Sequence, residues 1–379
     1  MDFAFTEEQE ALRRTLRHFL AGCASPERVR AVMTTEAGYD PEVWQRLAGE
    51  LGLAALLVPE AYGGAGLGLV ELVAVMEEMG RALFCAPFLS TVGLAVNAIL
   101  LAGSAEQQRE LLPSIAEGTR TATLALTEAN GRWDARAIEA RAIRDGGDYL
   151  LSGTKTYVLD GHTADLILIA ARAPETAEAE GVSLFAVPAR TAGVERRALA
   201  TMDMTRKQAE VRLDRVRVPA SSLLGGEGLG WGALQATLDR AAVALSAEQV
   251  GGAERCLEMA VDYAKVRVQF GRPIGSFQAI KHTCADMLVR VESARSASYY
   301  AGWTAATEAT DQAVAAAQAK AYCSDAYFFC AAENIQIHGG IGFTWEHEAH
   351  LYFKRARASQ AMFGDPAYHR ERVAREMGL

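Results

Sequence analysis

The stretch Gln336-Ile337-His338-Gly339-Gly340-Ile341-Gly342-Phe343 lies near the C-terminus and ends a long helical pattern. His338-Gly339-Gly340 is a strong helix stop, because glycine readily adopts the left-handed conformation in which helices commonly end. Two further alanine-rich, almost proline-free patterns precede it, and short connections join the three. We expect an antiparallel helix bundle. Its long helices are predicted at about Trp231–Lys265, Gln278–Thr310 and Asp311–His338.

Upstream of the bundle, the sequence has the pattern of short β-strands. The run Val211–Val218 partly alternates apolar and charged residues, as in a half-buried strand. Turn residues such as Asp145-Gly146-Gly147-Asp148 separate successive runs. Short strands without helices between them indicate an antiparallel sheet or a small barrel. The predicted strands are Thr121–Thr127, Tyr149–Leu159, Leu166–Ala171, Val182–Val187 and Val211–Val218.

The first part of the chain is predicted to be helical. Thr6–Gln9 has the pattern of a capping box, and Asp40-Pro41 gives an N-cap with proline at the first helical position. Ser104–Gln107 opens another helix, which we expect to stop before Pro113. The whole pattern predicts a mostly α, α+β fold. Its domains are an N-terminal helical domain at 1–120, a β domain at 121–226 and a C-terminal four-helix-bundle domain at 227–379.

Composition narrows the function classes. The chain has 379 residues, 50% hydrophobic and 22% charged residues, and a net charge of −9. An acidic balance argues against nucleic acid as a partner, because phosphate binding needs a positive surface. No apolar run reaches the roughly 18 residues of a membrane span. The acidic start lacks the basic and apolar segments of a signal peptide, so we expect a cytoplasmic protein. The six scattered cysteines indicate buried thiols.

Two other patterns resemble functional motifs without matching them. The glycine clusters Gly63–Gly68 and Gly225–Gly230 lack the G-x-G-x-x-G spacing and the preceding apolar strand of a dinucleotide site. His347-Glu348-Ala349-His350 places two histidines three residues apart, whereas zinc-binding helices place them four apart. We interpret these segments as loops and helix surface, and we predict no metal site.

The segment Arg267-Val268-Gln269-Phe270-Gly271-Arg272-Pro273-Ile274-Gly275-Ser276-Phe277-Gln278 joins two long helices. Its arginines can donate to phosphate oxygens with a fixed fork of N–H groups. Its phenylalanines can stack on a flat ring, and its glutamines can bind polar edges. An ordinary interhelical turn stays the alternative, but a turn alone does not require this set of side chains.

This segment and Gln336–Gly340 resemble the two motifs with which acyl-CoA dehydrogenases hold the adenosine and pyrophosphate half of FAD. Pro59-Glu60-Ala61-Tyr62-Gly63-Gly64 resembles a motif in the N-terminal domain of that family, and the order of the three regions is similar over nearly the whole chain. In the family, a neighbouring subunit supplies the first motif. The resemblance implies FAD contacts at Arg267, Gln269, Phe270, Ile274, Phe277, Gln278, Gln336, Ile337, Gly339 and Gly340.

The family usually places its catalytic glutamate where this chain has Phe363. A phenyl ring cannot take a proton, so the resemblance assigns no catalytic base to this chain. In one branch of the family the glutamate comes from the first bundle helix, at a position that corresponds to about Ala241. Asp239 points to another helix face, and Glu248 lies two turns along nearly the same face. Both remain alternative bases.

The flavin-ring side of the family pattern is also altered. Thr127-Glu128 matches the start of the loop that holds the flavin ring, but Arg132 and Trp133 are bulky where the family has small residues. Tyr157 replaces a family tryptophan beside the flavin. Leu159 replaces a hydroxyl residue and donates no hydrogen bond.

The chain keeps the FAD motif that serves a neighbouring subunit, but it lacks a catalytic base of its own. In this combination it is similar to the auxiliary subunit of heteromeric acyl-CoA dehydrogenases of bacterial steroid side-chain degradation. The resemblance implies an α2β2 heterotetramer, with a catalytically complete partner subunit that supplies the base. It also implies a bulky acyl-CoA substrate and an electron-transfer flavoprotein as acceptor. One alternative is a homotetrameric acyl-CoA dehydrogenase that uses Glu248 or Asp239. Another is a homologue that binds acyl-CoA or a protein without redox chemistry.

Overall fold

The computed structural model describes residues 5–379, so the first four residues of the acidic start lie outside the described residues. The chain forms two compact units. The bundle unit comprises the N-terminal residues through Ala31, Leu69–Phe84 and Ala242–Leu379. The sheet unit comprises Val32–Gly68 and Cys85–Ala241. The predicted domain borders at 120 and 226 mark changes between helical and strand patterns in the sequence, whereas the two units are compact groups of residues in the structure. The domain borders therefore stay a prediction.

The helices cover most of the chain, and the fold is mostly α, as predicted. A π-helical stretch, Leu89–Val96, leads directly into α5. The helices are α1 Glu7–Cys23, α2 Pro26–Met33, α3 Pro41–Gly49, α4 Leu69–Arg81, α5 Asn97–Ala102, α6 Ala105–Ala116, α7 Gly230–Val266, α8 Gln278–Ala306, α9 Gln312–His338, α10 Ala349–Ala361 and α11 Pro366–Glu376.

The central sheet is mixed rather than antiparallel. Its strands are β1 Ala122–Ala125, β2 Arg141–Asp145, β3 Asp148–Leu159, β4 Leu166–Arg172, β5 Val182–Pro188, β6 Val194–Ala198, β7 Gln208–Pro219 and β8 Leu223–Leu224. The order is β6-β7-β3-β2-β4-β5-β8, and β1 pairs with β4 in parallel. A parallel pair needs a long connection, and the chain between β1 and β4 contains β2 and β3. The predicted antiparallel pairing holds for most neighbouring strands, such as β3 with β7 and β4 with β5, but β1 and β2 each pair with β4 in parallel.

Local capping signals were predicted correctly. The Thr6 hydroxyl accepts from the Gln9 amide at 3.3 Å, and the Gln9 side chain accepts from the Thr6 amide at 2.9 Å. Asp40 caps α3 through the Glu42 and Val43 amides. Each contact satisfies N–H groups that a helix start leaves without an internal partner.

The predicted stop before Pro113 is wrong, because α6 continues to Ala116. Proline removes one backbone hydrogen bond from a helix. Leu112 and Ile115 are fully buried on this last turn, and the Glu117 amide donates to the Pro113 carbonyl at 3.0 Å. Burial of the apolar face outweighs the lost bond.

The cores of the two units differ in side-chain size. The sheet core holds branched and aromatic residues such as Ile167, Phe185 and Val211. In the bundle unit, Gly80 on α4 lies against the Glu248 carbonyl, where a Cβ atom would come within 2.0 Å. Glycine is required there because the two helix backbones approach so closely.

The cysteines are free thiols, of which Cys85, Cys256, Cys323 and Cys330 are buried. Cys23 and Cys284 are half-buried, which the sequence did not predict. Across residues 5–379, no helix combines the length and apolar character that a membrane crossing needs.

Candidate functional site

The connection between α7 and α8 is a β-hairpin, with strands β9 Val268–Gln269 and β10 Arg272–Pro273. Its two-residue tip is Phe270-Gly271, and both residues have left-handed φ angles, 53° and 76°. Turns of this kind match the twist of the flanking strands. A non-glycine residue at positive φ is strained, and Phe270 is 91% exposed. The hairpin tip therefore has a strained backbone at Phe270 and exposes its aromatic ring to solvent.

The predicted ligand side chains of this hairpin lie close together. The Phe270 and Phe277 rings meet edge to face with centroids 6.0 Å apart, and the Arg272 guanidinium lies 4.2 Å from the Phe277 centroid. Arg267, Gln269 and Gln278 are exposed, and Ile274 is half-buried. Aromatic rings next to exposed guanidinium groups fit a nucleotide with its phosphates.

The second predicted segment ends α9. Gly339 has φ 64°, and Gln336, Gly339 and Gly340 are exposed. An added Cβ at Gly339 or at Gly340 would meet nothing within 4 Å. Packing within the described chain therefore does not explain the glycines, and an open backbone suits the close approach of a ligand. Ile337 differs, because its side chain is buried and only its backbone remains for a ligand.

A contact that the sequence did not predict links the two segments. Tyr263 lies at the end of α7, and its ring stacks on the His338 ring at 4.3 Å. The Arg267 amide donates to the Tyr263 carbonyl at 2.9 Å. His338 Nδ1 donates to the Asn334 carbonyl at 2.8 Å, and burial lowers the pKa of His338, so the ring is neutral at pH 7. The stacked pair holds the hairpin and the glycines at one corner of the bundle unit.

Phe363, at the predicted base position, is buried and has a left-handed φ of 59°. Its backbone is held by other helices. His369 Nε2 on α11 donates to the Phe363 carbonyl at 3.0 Å, and Lys320 Nζ on α9 donates to the Gly364 carbonyl at 3.1 Å. The side chain itself offers no ionisable group. The sequence did not reveal this arrangement, because the lysine and the histidine are remote in the chain.

The two alternative bases lie in different surroundings. Glu248 is 3% exposed, and its Oε1 accepts from Arg355 Nη1 at 3.0 Å. Arg355 is also buried, so removing the Glu248 charge would take a charged partner from a buried cation. Asp239 is half-buried and accepts from the Gln235 amide at 3.4 Å. Ala241 is fully buried. The ion pair argues against Glu248 as a base.

In the sheet unit, Glu128 of the predicted flavin-ring loop has a structural role. Its Oε1 lies 2.6 Å from Lys155 Nζ, and both side chains are buried. The same carboxylate accepts from the Glu139 and Ala140 amides at 2.9 and 3.0 Å. Asp134 pairs with the exposed Arg132 at 2.8 Å. The loop is thus fastened to its own sheet. Of its two bulky residues, Arg132 is exposed and Trp133 is half-buried.

Tyr157 sits in a bulge of β3. The register with β7 shifts between Lys155 and Val158, and Tyr157 has φ 55° and is 54% exposed. The Thr127 hydroxyl donates to the Thr156 carbonyl at 2.7 Å, and the Thr156 amide donates back to the Thr127 carbonyl at 2.9 Å. Bulges re-aim side chains and are frequent at functional sites. Leu159, by contrast, is buried.

Comparisons with known proteins agree with this geometry. The sequence matches the profiles of the acyl-CoA dehydrogenase N-terminal, middle and C-terminal domains, at residues 6–119, 123–216 and 228–378. It is 37% identical to acyl-CoA dehydrogenase IpdE2 of Mycolicibacterium smegmatis over 372 residues, which cover 98% of this chain and 99% of the relative.

Two solved structures are similar over nearly the full length. The ChsE4-ChsE5 complex from Mycobacterium tuberculosis gives a TM-score of 0.89 at 31% identity, covering 100% of this chain and 99% of the other. A variant of the Tcur3481-Tcur3483 steroid ACAD gives 0.88 at 35% identity, covering 98% of each chain. Members of the matched family depend on FAD. With three domain profiles matched in order and a full-length relative above 30% identity, the chain belongs to the acyl-CoA dehydrogenase family.

Proposed function

We propose that this chain is the auxiliary subunit of a hetero-oligomeric acyl-CoA dehydrogenase, an α2β2 complex that oxidises an acyl-CoA between Cα and Cβ. The observation that carries the proposal is Phe363 at the family's base position. A positioned base contributes about 10²–10⁴-fold to proton abstraction. The base must then come from a catalytically complete partner subunit.

The alternative of a homotetramer with a relocated base is weaker. Glu248 is committed to Arg355 in a buried ion pair, and Asp239 lies on another face of α7 than Ala241. The non-redox alternative is also weaker. A non-redox role does not explain the exposed Phe270 ring or the open backbone at Gly339 and Gly340.

The bundle unit offers the groups for one half of the cofactor. The Arg267 and Arg272 guanidinium groups would bind the pyrophosphate, and Phe270 and Phe277 would contact the adenine. Polar edges of the cofactor would be bound by Gln269, Gln278 and Gln336. Further contacts with the cofactor, through packing or through the backbone, would come from Ile274, Ile337, Gly339 and Gly340. When bound, FAD supplies the oxidising equivalent of the reaction.

The substrate class and the acceptor belong to the same proposal. The likeness to the Tcur3481-Tcur3483 steroid ACAD supports a bulky, steroid-like acyl group, and the ChsE4-ChsE5 complex supports assembly from two different chains. We propose an electron-transfer flavoprotein as the acceptor, as the resemblance to the family implies.

The test is purification of the chain from its native source, with mass and flavin content measured on the assembly. We expect a second acyl-CoA dehydrogenase chain to co-purify, and FAD to be lost when the chain is expressed alone. A homotetramer of this chain with stoichiometric FAD and turnover would contradict the proposal.

A further inference from the structure

A cluster of cationic and imidazole side chains surrounds the start of α10 in the bundle unit. Arg30 comes from α2, His347 and His350 flank the helix start, and Lys354 follows one turn later. The His350 and Trp345 rings are 4.7 Å apart, and Lys354 Nζ lies 4.5 Å from the Trp345 centroid. None of these side chains belongs to the FAD-type motifs.

Two members of this cluster have buried polar atoms without partners. His350 is 4% exposed, and its Nε2 has no hydrogen-bond partner within residues 5–379. Nε and Nη2 of Arg30 are also buried, and no described residue accepts from them. A buried donor without an acceptor destabilises the fold, and more strongly when it carries charge. The two Arg30 donors therefore lack an acceptor, and His350 Nε2 lacks a partner.

The charged groups that affect the two histidines are cations. Burial lowers the pKa of His350 to about 4, and Lys354, Arg30 and His347 add to the effect. Burial also lowers the pKa of His347 to about 4, with His338, Arg30 and Arg255 adding to it. No carboxylate contributes to either shift. The nearest acid in sequence, Glu348, pairs with Arg255 at 3.1 Å instead.

The helix end adds further donors. α10 runs for 13 residues, and its N-cap residue Glu348 makes no side-chain cap hydrogen bond. The Ala349 amide donates to His347 Nδ1 at 3.1 Å. The Leu351 amide donates to the Glu348 carbonyl at 2.9 Å, and the helix dipole favours negative charge at this end.

We infer that Arg30, His350 and the first turn of α10 bind an oxyanion, a phosphate or carboxylate group that comes from outside this chain. The neutral His350 ring donates through Nε2–H, and Arg30 donates through the fork formed by its Nε and Nη2. Arg30 and His350 are not among the proposed FAD contacts, although the His347 ring lies 4.2 Å from the His338 ring.

The first test is titration calorimetry on the full chain at fixed ionic strength in chloride buffer. Inorganic phosphate is one probe, and acetate is the other, which separates a phosphate site from a carboxylate site. Arg30→Gln should lower the affinity for the probe that binds by about tenfold or more, because it removes charge-assisted hydrogen bonds. Arg375→Gln removes an equal charge from an exposed pair with Glu371 and should change affinity less than about twofold.

Thermal unfolding provides the second readout. In chloride, Arg30→Gln should keep or raise the midpoint of thermal unfolding, because it removes two buried N–H donors for which no described residue is an acceptor. With phosphate or acetate, only the wild-type chain and the Arg375→Gln control should gain stability. The inference is overturned if neither probe binds the wild-type chain, or if Arg30→Gln responds to the probes as the wild type does.

Discussion

Lys320 Nζ lies 3.1 Å from the carbonyl oxygen of Gly364, the residue after Phe363 at the predicted base position. The same ammonium donates to Ser324 Oγ at 2.9 Å and to the Gln360 carbonyl at 3.1 Å, and Lys320 is fully buried. Together with His369 Nε2 on the Phe363 carbonyl, it fixes the backbone between α10 and α11. Side chains from α9 and α11 thus fix the backbone around position 363, while the Phe363 side chain has no ionisable group.

The first prediction concerns this lysine. Lys320→Met should lower the free energy of unfolding by about 3 kcal/mol, because two buried carbonyls and a hydroxyl lose their hydrogen-bond partner. Denaturant unfolding measures the change. Lys281→Met, at an exposed position on α8, is the control and should change stability by less than about 0.5 kcal/mol. An unchanged midpoint in Lys320→Met would show that the segment is held by packing alone.

Stability should also depend on pH through Lys320. Burial lowers the pKa of Lys320 to about 7, below its ordinary 10.5. Between these values the unfolded chain binds the proton and the folded chain does not, so unfolding takes up a proton and stability rises with pH. Denaturant unfolding at pH 7 and pH 9.5 should show this gain in the wild type, and a smaller gain in Lys320→Met.

His369 should make the chain sensitive to acid. Burial lowers the pKa of His369 to about 3, and Lys320 and Arg372 add to the effect, while the Phe363 carbonyl and Asp365 oppose it. Below pH 6.5, His369 binds a proton in the unfolded chain but not in the folded chain. Stability therefore falls as pH approaches 3. His369→Gln keeps a donor for the Phe363 carbonyl and should lose less stability between pH 7 and pH 4.5. Equal acid sensitivity in both chains would contradict this.

The buried pair of Glu248 and Arg355 gives a test of the base assignment. Glu248→Gln should cost about 3–5 kcal/mol of stability, because the buried Arg355 charge loses this carboxylate partner. Turnover per assembled complex should stay within about twofold, since under our proposal the partner subunit supplies the reactive base. The double variant with Arg355→Met should recover part of the stability. A loss of turnover by more than about 10²-fold with normal FAD content would favour Glu248 as the base.

The hairpin tip separates binding from stability. Phe270→Gly relieves the left-handed strain at φ 53° and removes an exposed ring, so the chain should be equally or more stable. The assembled complex should bind FAD about tenfold more weakly, because base–aromatic stacking is lost. Met377→Ala removes another exposed apolar side chain of the bundle unit and should leave FAD content unchanged. Equal FAD affinity in the Phe270→Gly complex would remove this residue from the site.

Features set by neighbours in the sequence could be predicted, and features set by remote partners could not. The Thr6 cap, the Asp40-Pro41 start and the stop at Gly339 were predicted because their causes lie within a few residues. Strand β6, Val194–Ala198, was missed because its charged residues are typical of a protected edge strand. The Tyr157 bulge depends on Thr127, and the Glu248 pair depends on Arg355, which lies 107 residues away. Such pairings require the tertiary structure.

Gly340 illustrates a constraint that the folded chain does not impose on itself. Its φ lies outside the positive range and nothing within 4 Å would oppose a methyl group, so alanine would be accepted or even favoured by the isolated subunit. Under our proposal, the requirement for glycine comes from the cofactor that the assembled complex binds. A mutational survey scored on abundance of the lone polypeptide would therefore rate this position as tolerant, and the same survey scored on the working assembly would rate it as intolerant.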